Sequence, residues 1–465
     1  MIDAFVKLVY QLSLLPTEII DFIYQQLLDC HIHAFLDFDR LFRYTVQRLF
    51  NNKVVVASLE NNICEKQKDS KGNGCCTHCI SPSTLLDLIK KTAILPKHIN
   101  FIELCQFNEF FCNHFEVLDR ASKIDLFIPC NTAYVELAKY LENVSSDLGK
   151  RLNIDALILD TIDSTDFIVP SSVTKFEFKD EAAYDLNFFK QMKMLQELAI
   201  GGDSSMPLKV FENLPQTLTS LNIPELEPLS MPLVNIPRNL KKLTLSYSDS
   251  ETEDDRQFHS DTIAKAKFEQ LTELEVRGVS FLSLAQLNAF KNLRQLKMTI
   301  PYNGNPSSSS LSSSEMEMEY LKQCIFLENF SLTSIYFPTK LFSKEFEFPN
   351  LRKFCYSIGN FKETEMEMEM EMERKTHVAL YFPKKLQSLS FEWNQYLELN
   401  MEEFSLPSNM NELIFKGKLA YCNIEQLKIP INLKIFKLDT ETSDTETSDT
   451  ETSDTIERSE LVEQY

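Results

Sequence analysis

The sequence predicts an α/β repeat solenoid, in which short parallel strands stack into a curved sheet with an irregular convex side, preceded by a small helical head. Two observations predict the stack. A unit that reads Pro-x-x-Leu-x-x-Leu-x-Leu in its plainest form recurs eleven times between residues 170 and 438. Its first apolar anchors, Val173, Leu195, Leu218 and Leu240, stand 22, 23 and 22 residues apart. A third observation predicts the head: before the repeats, Ile19, Ile23 and Leu27 fall at i, i+4 and i+8, one stripe of a helix.

The copies are PSSVTKFEF (170–178), MKMLQELAI (192–200), PQTLTSLNI (215–223), PRNLKKLTL (237–245), FEQLTELEV (268–276), FKNLRQLKM (290–298), CIFLENFSL (324–332), PNLRKFCY (349–356), PKKLQSLSF (383–391), PSNMNELIF (407–415) and PINLKIFKL (430–438). Weaker copies precede them at 96–104 (PKHINFIEL) and 151–159 (RLNIDALIL). In Leu-x-Leu the two apolar side chains share one face of a strand, because strand periodicity is two. One such strand cannot bury its apolar face alone, but stacked neighbours bury a continuous core. A step in the low twenties with an L-x-x-L-x-L centre resembles the leucine-rich repeat. That resemblance implies a leucine-rich-repeat solenoid with the x residues on the concave side. Such repeats usually carry Asn three residues past the last Leu, whereas here those positions hold Leu226, Ser248, Val279, Gly359 and Lys418, with Asn394 the match. The turn amides must therefore find other partners. On the convex side, 179–192 and 283–292 read as helices, and the three prolines of PELEPLSMP (224–232) forbid one.

The formal charge is −21, and it is unevenly placed. Windows 249–255, 315–319, 363–373 and 440–457 hold five, three, six and seven acids and no base. The remaining 47 acids face 47 Lys and Arg, so the folded body is neutral. A neutral body lacks the basic stripe that nucleic acid requires. Each acidic window begins after the strand of its repeat, so all four leave from one edge of the stack, and their composition resists folding. The start of the chain shows no basic n-region and no cleavage site, and no run of ~18 apolar residues spans a membrane. Eleven cysteines without an export signal fit reduced thiols in cytoplasm or nucleus.

In the head, Pro16 suits a first helical position and Glu18 a first turn. Leu15-Pro16-Thr17-Glu18-Ile19-Ile20 resembles the opening L-P-x-E-[LI]-[LI] of an F-box, the module that joins substrate receptors to Skp–cullin–F-box ubiquitin ligases. The resemblance implies that Leu15, Pro16, Ile19, Ile23 and Leu27 pack against a Skp-type adaptor. The closing stretch RYTVQRLF lacks the cysteine and tryptophan that often end the module; the one Trp is Trp393. As a whole the chain is similar to fungal F-box proteins with leucine-rich repeats.

Chemistry has few candidates. Cys76-x-x-Cys79, with Cys64, Cys75 and His78, offers a single half-site for zinc in a linker-like setting, whereas a closed site shows two. No phosphate-cradling glycine loop, H-E-x-x-H or G-x-S-x-G occurs. The expectation is a non-enzyme without metal or cofactor. Its domains are a head (1–50), a linker with the cysteine cluster (51–95), the solenoid with acidic inserts (96–439) and an acidic tail (440–465). The concave face is expected to present Lys242, Thr244 and Ser246; Glu273, Glu275 and Arg277; Gln295, Lys297 and Thr299; Ser388, Ser390 and Glu392; and Glu412 and Lys416. The expected function is a substrate receptor whose head docks the adaptor and whose solenoid recruits a target for ubiquitination. The alternative is a leucine-rich-repeat interaction scaffold with no ubiquitin role, its head only a solenoid cap.

Overall fold

The computed structural model describes residues 34–58, 79–128, 152–159, 169–178, 192–201, 214–226, 237–247, 269–277, 292–299, 324–334, 339–342, 348–357, 380–392, 404–416 and 427–439, with single positions between them and Gln11, Leu15, Pro16, Ile19, Ile20, Phe22 and Ile23 near the start. They fall in two compact units, one before and one after the Ser204–Ser205 bond.

The P-x-x-L lead is a β-turn. The amide of the anchor donates to the carbonyl three residues earlier: Leu218 to Pro215 (3.1 Å), Leu240 to Pro237 (3.2 Å), Leu386 to Pro383 (3.0 Å), Met410 to Pro407 (3.2 Å) and Leu433 to Pro430 (3.1 Å). Only the carbonyl of the first turn residue is used, so proline loses nothing there by lacking an N–H. Cys324 and Phe348 serve the same position for Leu327 and Leu351. The anchor then turns in, and its burial is complete: Leu218, Leu271, Leu293, Leu351, Leu386 and Met410 are all 0% exposed.

In the second unit, nine strands follow: β8 (Ser220–Leu226), β9 (Lys242–Tyr247), β10 (Glu273–Arg277), β11 (Gln295–Thr299), β12 (Asn329–Thr333), β13 (Lys353–Ser357), β14 (Ser388–Glu392), β15 (Glu412–Lys416) and β16 (Ile435–Asp439). Each pairs in parallel with the next in chain order, apolar residue on apolar residue. Rungs are joined just ahead of the strands as well. Lys241 and Lys242 both donate to Thr219 O, Thr272 and Glu273 to Lys241 O, and the scheme repeats up to Lys434 and Ile435 on Asn411 O.

Among the described residues, asparagines ahead of the strands tie neighbouring turns together. At the third turn position, Asn239, Asn292, Asn350 and Asn432 donate through Nδ2 to the carbonyls of Gln216 (3.0 Å), Glu269 (2.8 Å), Ile325 (2.8 Å) and Ser408 (2.8 Å) in the preceding rung. This asparagine ladder satisfies turn carbonyls that the strands cannot reach.

In the first unit the strands are β1 (Lys53–Val56), β2 (Cys79–Ile80), β3 (His98–Phe101), β4 (Lys123–Ile128), β5 (Ile154–Leu159), β6 (Lys175–Phe178) and β7 (Glu197–Ile200), in the order β2-β1-β3-β4-β5-β6-β7, all parallel. Asn153 extends the asparagine pattern here by donating to Ser122 O. Among the helices whose bounds lie in the described residues are α1 (Asp39–Asn51), α2 (Pro82–Thr92), α3 (Leu104–Asn113) and α4 (Phe115–Arg120). Helix α2 starts where Ser81 Oγ accepts the Thr84 amide at 3.1 Å and Pro82 takes the first helical position. Phe107 and Phe110 of α3 meet Phe101 of β3 edge-on at 5.7 and 5.5 Å.

The ladder thus begins inside the stretch expected as a linker. The apolar run Val54-Val55-Val56 forms β1, and the stretch 79–92 supplies β2 and α2. Helix α1 feeds the ladder directly, since Phe50 O accepts the Lys97 amide at 2.9 Å and Lys97 O accepts that of Lys123 at 3.0 Å. Cys64, Cys75, Cys76 and His78 lie outside the described residues, as do the acidic windows and most of the two convex segments expected to be helical. No described helix is long and apolar enough to cross a membrane. By rung, register and core, the chain is an α/β leucine-rich-repeat solenoid.

Candidate functional site

The Leu positions of unit 2 face the core, so the x positions face away from it. Register aligns them in three rows. Lys242, Glu273 and Gln295 share the first; Thr244, Glu275 and Lys297 the second; Ser246, Arg277 and Thr299 the third. Further on, Ser388 stands beside Glu412, Ser390 beside Ile414 and Glu392 beside Lys416. All fourteen expected residues are thus strand residues on one face. Thr244 differs in exposure: at 9% it is covered rather than presented.

Four strands of this face, β8, β12, β13 and β16, were not named from the sequence, although their repeats were. Strands β12 and β13 contribute Asn329, Ser331 and Thr333, and Lys353, Cys355 and Ser357. The same alternation that located the other rows marks them.

The charges on β9 to β11 compensate one another. Glu275 accepts from Lys297 Nζ at 2.9 Å and from Arg277 Nη2 at 2.8 Å. Partial burial pulls the Glu275 carboxyl up, but these two donors outweigh it and hold the pKa below its ordinary value. Lys242 and Glu273 stand 3.7 Å apart. On β12 to β14 the centre is uncharged: Ser331, Cys355 and Ser390 fill the middle row, and Thr333 and Ser357 share a 2.8 Å hydrogen bond beside them. Ser388 Oγ donates to Glu412 at 2.6 Å. The result is a half-buried polar face, charged but paired at one side and hydroxyl-rich at the centre.

Unit 1 adds a cluster that the sequence reading missed. Asp125 of β4 is 4% exposed on the face opposite the core and meets Lys53 Nζ at 2.6 Å. His98 Nε2 lies 2.8 Å from the same oxygen. Asp155 is the extra residue of a bulge between Ile154 and Ala156 and accepts from Lys123 (2.7 Å) and Thr174 Oγ1 (2.6 Å). Burial raises both carboxyls, yet their donors prevail and leave both pKa values lowered. The available signal was an acid at an otherwise apolar strand position, in KIDLFI and NIDALI.

In the head, Ile19 and Ile20 amides donate to Pro16 O at 3.0 and 3.1 Å, the helix start that Pro16 suggested. Ile20 is buried at 7%, whereas Leu15 (36%), Ile19 (45%) and Phe22 (64%) face outward. Pro16 is exposed, Ile23 half-buried, and Leu27 outside the described residues. Phe22, off the stripe drawn from the sequence, is the most exposed of the set.

No protein-family model matches the chain, and no curated protein matches it. Among solved structures, CroV588, described as a novel circular leucine-rich-repeat protein structure, is similar at 14% identity with a TM-score of 0.31, covering 75% of this chain and 47% of that one. The matched region spans about half the length of that neighbour.

Among the described residues, no group of three His, Cys, Asp or Glu is placed to hold a metal ion. Cys79 opens β2, and burial pushes its thiol pKa up. Asp125, Asp155, Glu275 and Glu412 each take a lysine, arginine or hydroxyl donor. Such an array can meet another protein through many shallow polar contacts.

Proposed function

We propose that the chain is a non-catalytic receptor, holding a protein target on the polar face of its repeats and docking a Skp-type adaptor with its head. Recruiting a target to a ligase in this way raises the target's effective concentration, while the transfer chemistry belongs to other subunits. The observation that carries the proposal is the outward Leu15, Ile19 and Phe22 around an inward Ile20. Large apolar side chains held in water beside a folded core mark a docking helix, with anchors at helical spacing. The F-box resemblance of Leu15 to Ile20 supplies the identity of the partner. The paired charges and hydroxyls of β9 to β15 suit recognition by complementarity, which sets specificity more than raw affinity.

Co-purification tests it. Wild type is expected to bring down a Skp-type adaptor, and the double variant Ile19→Asp, Phe22→Asp to lose it while keeping its circular-dichroism spectrum. Wild type that captures no adaptor refutes the head assignment.

A second reading, an interaction scaffold whose head only caps the repeats, is favoured by α1. It buries Val46 (0%) and Phe50 (1%) and passes a hydrogen bond into the ladder at Lys97. The two readings divide at Leu15–Phe22, because a cap has no use for those outward side chains. Under the scaffold reading, Phe22→Ser leaves every interaction intact.

A further inference from the structure

The last rung, LKIPINLKIFKLD at 427–439, is finished on the inside and unfinished on the outside. Its anchor Leu433 is 4% exposed. Phe436 and Leu438 occupy the positions paired with Leu413 and Phe415 of β15, yet both are half-buried where their partners are 0% exposed. Ile429, Ile431 and Ile435 add apolar surface at 46%, 77% and 43% exposure. Strand β16 lies at the end of the strand order, beside β15. Parallel pairing turns Ile435 N–H to Asn411 O at 3.0 Å, and therefore turns the backbone of Phe436 and Leu438 to the outer edge. An open edge of this kind accepts another strand.

The charges choose the occupant. The charged residues of 427–439 are Lys428, Lys434 and Lys437, all exposed, and Asp439 at the end of β16, in register with Lys416. A second copy meeting this edge brings lysine against lysine, which costs free energy. Directly beyond Asp439, residues 440–457 carry seven acids and no base, with Ile456 near their end and Leu461, Val462 and Tyr465 after it. We propose that the segment 440–465 folds back over β16 and caps the solenoid. Its acids meet the three lysines, and its apolar residues cover Ile429 and Ile435.

Reach is sufficient. The five residues of β16 extend about 17 Å, and the 17 residues from Asp439 to Ile456 span roughly 23 Å as a flexible chain. Tethering holds the segment at an effective concentration on the order of millimolar, so weak contacts are enough.

Hydrogen exchange decides it, comparing the full chain with a chain ending at Asp439 and with a full-length variant whose seven acids in 440–457 are replaced by their amides. The Phe436 and Leu438 amides are expected to exchange at least tenfold slower in the full chain than in either variant, and 0.5 M salt is expected to erode that protection. Phe354 of β13 reports that the fold persists; should truncation unfold the unit, the amide variant gives the answer. Equal exchange in the full chain and the amide variant overturns the proposal. Protection that survives in both, or that grows with protein concentration, also overturns it and assigns the edge to a second copy.

Discussion

Asp125 is a carboxylate held where water barely reaches it, and its stability contribution has a definite sign. Its folded pKa lies below the ordinary carboxylate value, because the His98 and Lys53 donors outweigh burial. The contribution is therefore full above about pH 4, the unfolded value, and fades as pH falls through the lower folded value. Asp155, lowered by Lys123 and Thr174 against its own burial, acts in the same sense. Asp125→Asn is expected to cost about 1–3 kcal/mol in urea unfolding at pH 6, by weakening the donors' partner. The gap to wild type should narrow below pH 4, where wild type loses the charge too; a gap that widens on acidification contradicts this account. Burial also raises the Cys324 thiol to about 11. Thiolate is the reactive form and access is needed, so Cys324 should resist iodoacetamide in the folded protein while exposed Cys112 reacts. Peptide mapping reads this, and early labelling of Cys324 would show that its rung opens.

At the scale of the element, the strands were legible because their signal is redundant. Anchor, period of two and spacing all agree in Leu240, Leu243 and Leu245. The turn chemistry was legible only as a deficit. Asparagine was sought three residues after the strand, where the resemblance puts it, and the molecule places it at Asn239, Asn292, Asn350 and Asn432, one residue before the anchor. A side-chain amide satisfies a turn carbonyl equally well from either side, and sequence spacing alone does not say which carbonyl is orphaned. Strand β4 escaped notice because SKIDLFI has no P-x-x-L lead; its turn bond runs from the Ala121 amide to Leu118 O at 3.2 Å, with alanine in the anchor position. The polar cluster of unit 1 was not legible because Lys53, His98 and Asp125 are brought together by register, from positions far apart in the chain. Asn292→Ala is expected to lower stability by about 1 kcal/mol. Asn292→Asp should do no better, since a carboxylate has no proton to donate to Glu269 O. Thermal denaturation checks both, and a fully stable aspartate variant would remove the ladder's claim to hold the turns together.

At the scale of the whole molecule, each described strand of unit 2 pairs with its neighbours in chain order, so a defect has a defined reach. Leu351 sits at 0% exposure ahead of β13, the strand whose Phe354 packs against Phe330 and Phe342 in one aromatic layer, with Phe342 and Phe354 centroids 4.6 Å apart. Truncating Leu351 to Ala leaves a cavity that this layer cannot fill without leaving its ring geometry, at a cost of about 2–5 kcal/mol. In a stack governed by nearest-neighbour interfaces, that cost loosens the damaged interface before it unfolds the array. Amide protection is therefore expected to fall most in β12, β13 and β14, and least in β8, five interfaces away. The run of inter-rung bonds from Thr219 O to Asn411 O argues the other way, because it ties every rung into one ladder and raises cooperativity. Exchange measured strand by strand separates the two effects. A graded loss centred on β13 means that packing governs, and a uniform loss from β8 to β16 means that the ladder does.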